Sequence, residues 1–158
     1  MPVESENISL LKESYQTAYN FFFYLFGDKE QAVQLLDTLY KRFRFRHSQL
    51  SKIEIIREAF KIGLEKERMD KGHQDQRLHR LKAISNRFSA IPSNLLSERL
   101  LSLPFLERAA LLLHDLVGLA DHEIGQCVNK SPKWIRLRLH HARMNLVDME
   151  DSCQPVSS

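Results

Sequence analysis

Glycine and proline are scarce in this chain, five of each in 158 residues, and runs of β-branched residues are nearly absent. That argues against a turn-dense, sheet-rich fold and leaves room for long helices. Only two cysteines occur, Cys127 and Cys153, so there is no disulfide framework. The opening stretch MPVESENISL lacks the basic-then-apolar pattern of a signal peptide. The longest apolar runs, FFFYLF and AALLL, are far too short to span a bilayer. No Gly-rich phosphate loop, zinc-ligand spacing or nucleophile triad is present. The expectation is a soluble, cytoplasmic, non-enzymatic protein that needs no cofactor and inserts into no membrane.

What is present is helical periodicity and an uneven charge. Hydrophobic residues at 43% and charged residues at 27% are globular values. Residues 1–40 carry a net charge of −4, residues 41–88 carry +8, and residues 89–146 carry +2. Apolar residues from Ile8 through Tyr15, Tyr19, Phe22 and Phe26 recur at three and four, which predicts a first helix. Gly27 suits its end and Asp28 the N-cap of the next, which carries Ala32, Leu35, Leu36, Leu39, Tyr40 and Phe43. Ser48 or Ser51 can cap a third helix with Ile53, Ile56, Phe60 and Leu64 on one side, and Gly72 is placed to end it. The run NFFFYLF is wider than one helical stripe, so part of it should face a neighbouring helix or a partner. Residues 73–94 read as a basic linker, and apolar stripes restart at Leu95. The predicted architecture is all-α, with helical modules over 1–72 and 95–148 and a flexible tail over 149–158.

The second module holds the most informative segment. Gly118 breaks one helix, and a short one follows through Glu123, Ile124 and Val128. Ala120 stands at the cap position of that short helix without a side-chain acceptor, and Asp121 could cap it one residue later. The turn NKSPK comes next, with Asn129 able to adopt the left-handed conformation, Ser131 as an N-cap and Pro132 at the first helical position. Ile135, Leu139 and Ala142 then share an inward stripe, while Lys133, Arg136, Arg138, His140 and Arg143 fall largely elsewhere, with no acid among them. A basic helix alone is most often just a solvated surface. Preceded by a short helix and a tight capped turn, it reads instead as the second helix of a helix-turn-helix, a DNA-binding arrangement.

The segment LPFLERAALLLHDLVGLADHEIGQCVNKSPKWIRLRLHHARMNL resembles the promoter-binding domain of bacterial sigma factors of the small extracytoplasmic-function (ECF) type. Leu103–Pro104, Arg108, Gly118–Leu119, Glu123–Ile124, Ser131, Arg138–Leu139 and Ala142–Arg143 carry the resemblance. FGDKEQAVQLLDTLYKRF is similar, more distantly, to the family's second conserved helix. The resemblance implies promoter DNA and core RNA polymerase as partners, an anti-sigma protein as a third, and a monomer when free. It implies DNA contacts from Ser131, Lys133, Trp134, Arg136, Leu137, Arg138, His140 and Arg143, with Arg138 and Arg143 on phosphates or buttressing the helix. Asp37, Lys41, Arg42 and Arg44 would face polymerase or the downstream promoter element. Trp134 and Leu137 are apolar where the family is usually small and polar, so they could meet thymine methyls or a protein. A sigma-like protein-interaction module without promoter opening is the alternative, and a dimeric repressor a third reading.

The pair His114–Asp115 has the look of a metal-dependent phosphohydrolase motif but lacks converging partners, and adjacent His140 and His141 diverge by about 100° on a helix. No metal site is expected. Cys127 falls on the apolar side of its helix and reads as a small core residue.

Overall fold

The computed structural model describes residues 2–44, 50–71 and 95–153, with side chains between residues 12 and 147 except 95–97. The expected linker lies outside them. Seven helices occur in the described residues: α1 (Pro2–Phe26), α2 (Lys29–Phe43), α3 (Lys52–Asp70), α4 (Leu95–Ser102), α5 (Phe105–Asp115), α6 (Asp121–Val128) and α7 (Pro132–Cys153). The protein is all-α, with no strand among the described residues. α7 continues to Cys153, past the position 148 where the module was expected to end.

Local chemistry sets the boundaries. α1 stops at Gly27, whose φ of 70° is left-handed; a Cβ there would also meet the Leu101 side chain of α4 at 2.7 Å. Asp28 then caps α2, its carboxylate accepting from the N–H groups of Glu30 and Gln31. Of the two serines that could start α3, Ser51 does so through a reciprocal pair. Its hydroxyl accepts from the Glu54 N–H, and its own N–H donates to the Glu54 carboxylate at 2.9 Å.

The helices before and after the linker share one buried cluster. Phe21, Phe22 and Leu25 of α1 are fully buried with Ile55, Ile56 and Ala59 of α3. Phe105, at the start of α5, packs between Phe26 and Phe60, with ring centroids 6.4 and 6.3 Å away. The over-wide aromatic run on α1 is thus met by neighbouring helices. On the other side, α3 lies against α6, where Arg57 contacts the Cys127 thiol; burial raises that thiol's pKa.

Charged side chains fasten two of the joints. Arg108 is fully buried, and its Nη1 donates to the carbonyls of Leu101 at 3.0 Å and Leu103 at 3.1 Å, closing the corner between α4 and α5. Arg42 reaches from α2 to the carboxylates of Glu58 at 2.8 Å and Glu65 at 2.9 Å on α3. Partial burial alone would raise the Glu58 pKa, but the Arg42 hydrogen bond and the charges of Arg42 and Lys61 outweigh it and hold the carboxyl below its usual range.

A depressed carboxylate stabilises the fold at pH values above its unfolded pKa and loses that contribution as pH falls through the folded one. Glu58→Gln should therefore lower unfolding free energy near neutral pH by about 0.5–1 kcal/mol, the scale of a partly exposed ion pair. Urea titration of both proteins should show the difference shrinking as pH drops below about 4.3, the ordinary glutamate value. A difference unchanged between pH 7 and pH 3 would contradict this assignment.

Candidate nucleic-acid interface

α6 and α7 follow one another across residues 129–131, and the turn between them is tightly specified. Asn129 sits at φ 57° and ψ 51°, the left-handed conformation, as the C-cap of α6. The Lys130 N–H bonds the Gly125 carbonyl at 3.0 Å, so the chain folds back over Gly125. A Cβ on Gly125 would lie 2.5 Å from the Lys130 carbonyl oxygen. Glycine is required there because the opposing atom is backbone, which cannot rotate aside. The sequence pattern did not single out Gly125, since the demand arises from residues five and more positions on.

The start of α6 falls to one of the two candidate residues. Ala120, not Asp121, occupies the N-cap position, and its N–H donates to the Glu123 carboxylate at 3.4 Å. Asp121 is the first helical residue instead, where a carboxylate favours the helix dipole, and it lies 3.8 Å from the Arg136 guanidinium. α7 begins as its sequence suggests: the Ser131 hydroxyl accepts from the Trp134 N–H at 3.2 Å, and Pro132 follows in the first turn. Ile135, Leu139 and Ala142 are buried and fix the helix on the core.

That anchoring sorts the expected DNA contacts into two groups. Lys133, Arg136, Leu137 and His140 are exposed on one face of α7, at spacings of three and four, and Ser131 is exposed at its start. Met144 and Val147 continue the same face, about half exposed. The others are engaged within the protein. Arg138 reaches Glu107 of α5 at 3.4 Å and lies over the Trp134 ring, 5.0 Å from its centroid. Trp134 is half-buried against the core, with Lys130 over the same ring at 5.5 Å. Arg143 bonds Asp115 at 3.2 Å and approaches His114 Nδ1 at the same distance. His114 thus faces a guanidinium, a poor neighbour for a metal cation. No group of three or more His, Cys, Asp or Glu is placed to hold a metal among the described residues. The rings of His140 and His141 stand 6.3 Å apart.

The residues expected to face polymerase are on α2 and just beyond it. Asp37 and Lys41 pair with each other on the surface at 2.7 Å. Arg42 is held by the two glutamates of α3, and Arg44, the C-cap of α2, is exposed. No helix among the described residues is long and apolar enough to cross a membrane. Comparison with protein-family models and with curated proteins finds no match to this chain.

The turn geometry gives a direct check. Gly125→Ala should destabilise the protein by about 1–3 kcal/mol, the cost of forcing an extra methyl group into a packed site. Asn129→Gly should be close to neutral, because glycine adopts the left-handed conformation without strain. Thermal unfolding of the two variants would test this, and a neutral Gly125→Ala would contradict the close approach.

Proposed function

We propose that this protein is a transcription factor of ECF sigma type, with α6 and α7 as its promoter-reading unit. The observation that carries the reading is the division on α7: a buried stripe seats the helix, and Lys133, Arg136, Leu137 and His140 stand together on the opposite face. A capped helix N-terminus with cations and no acid in its first turns is suited to a polyanion, since free N–H groups and the helix dipole add to the side-chain charge. Arg136 is the best-placed reader of a guanine edge, and Lys133 of a phosphate. Trp134 and Arg138 serve this face from behind, the indole and the Glu107 pair setting the orientation of the first turn. The α1–α3 segment would bind core RNA polymerase, and an anti-sigma protein is a further partner in this proposal. A cytoplasmic setting follows from that role.

The exposed Leu137, Met144 and Val147 favour a second reading, a sigma-like module whose α7 face takes a protein. Transcription from a promoter library with bacterial core RNA polymerase separates the two.

Under the first reading, the purified protein forms a one-to-one, salt-resistant complex with core polymerase on a sizing column. Absence of that complex from folded protein would move the assignment to the second. Arg136→Ala should cost roughly 1–3 kcal/mol on selected promoter DNA and relax specificity at one position. Lys133→Ala should weaken all sequences about equally and reduce the salt slope by about one. Fluorescence anisotropy across a salt series measures both, and affinities equal to wild type for both variants would remove the recognition-helix assignment.

A further inference from the structure

A cleft of about 820 Å³ opens where the C-terminal end of α3, the α4–α5 corner and the first turns of α7 meet. Its volume lies within the range of small-molecule sites. Leu64, Leu103, Phe105 and Trp134 contribute to its apolar wall. Glu107 and Arg138 also line it, paired with each other at 3.4 Å.

The cleft's charged edge is formed by Arg68 and Lys71. Both are exposed, and neither forms an ion pair among the described residues. With Arg138 they outnumber the two lining carboxylates, Glu67 and Glu107, by three to two. We propose that this cleft binds a small amphipathic anion, with an apolar ring system against Trp134 and Phe105 and an anionic group at Arg68 and Lys71. The site joins both halves of the chain and touches α7 through Trp134 and Arg138. Its existence does not depend on the DNA-binding reading.

The dye 8-anilinonaphthalene-1-sulfonate carries both features, and Trp134 is the single tryptophan of the chain. Titrated into the folded full-length protein, the dye should bind one per chain, quenching Trp134 emission as its own rises. The double variant Arg68→Glu, Lys71→Glu should weaken that binding by about tenfold or more, equivalent to about 1.4 kcal/mol, with unchanged circular dichroism and melting temperature. N-phenyl-1-naphthylamine, which has the rings and the N–H but no sulfonate, should bind more weakly to the wild type and be indifferent to the double variant. Several dyes per chain, no quenching of Trp134, or equal affinity in the double variant would each overturn the site.

Discussion

The fold turns on a buried guanidinium. Arg108 has no exposure, and a charge in that position is tolerable only where fixed dipoles replace water. The carbonyls of Leu101 and Leu103 do so, at the C-terminal end of α4 where helix carbonyls lack intrahelical partners and the dipole favours a cation. The exchange is mutual: the helix end is capped and the charge is solvated by protein. Pro104 follows as the N-cap position of α5. A single nitrogen, Nη1, reaches both carbonyls, and the guanidinium carbon lies over the Phe105 ring, 5.8 Å from its centroid. The angle between α4 and α5 is thereby fixed from inside.

Much else follows from that angle, because the first turn of α5 reaches in two directions. Phe105 enters the core between α1 and α3 and ties the chain's two halves into one apolar cluster. Two residues later Glu107 meets Arg138, which covers Trp134 at the start of α7. The seating of the candidate interface helix and the packing of the distant first helix are thus set by neighbouring side chains. A perturbation at the corner would be felt at both ends, and the cleft lies between them.

Features written in a few adjacent residues were legible in the sequence. The end of α1 at Gly27, the caps at Asp28 and Ser51, the left-handed Asn129 and the start of α7 at Ser131–Pro132 each need only local sterics or a hydrogen bond within one turn. The inward stripe of Ile135, Leu139 and Ala142 follows from period alone. What stayed illegible depends on partners far along the chain. Arg138 reads equally as a phosphate contact or a buttress until Glu107, thirty-one residues earlier, is placed beside it. Arg42 resembles a docking residue until Glu58 and Glu65 close on it from α3. Gly125 looks dispensable until the Lys130 carbonyl folds over it. At the start of α6, Glu123 serves the Ala120 N–H from within the helix, which leaves Asp121 to face Arg136.

The same long-range pairing changes what the positive charge of α7 can do. Counted along the sequence, Lys133, Arg136, Arg138, His140 and Arg143 form one basic block. In the structure they are not equivalent. Arg138 and Arg143 have carboxylates from α5 within 3.4 and 3.2 Å, so a phosphate recruiting either must displace Glu107 or Asp115. Arg136 is only loosely matched, 3.8 Å from Asp121 and 68% exposed. Counterions gather on charge that is not already neutralised, so the salt dependence of a polyanion complex would be carried by Lys133 and Arg136 rather than by the whole block. The protein spends its C-terminal arginines on holding α7 in place and leaves the first two turns electrostatically open. A helix whose orientation is fixed by internal ion pairs and whose leading cations are exposed, with only the loose Arg136–Asp121 match, can meet a polyanion without first rearranging itself.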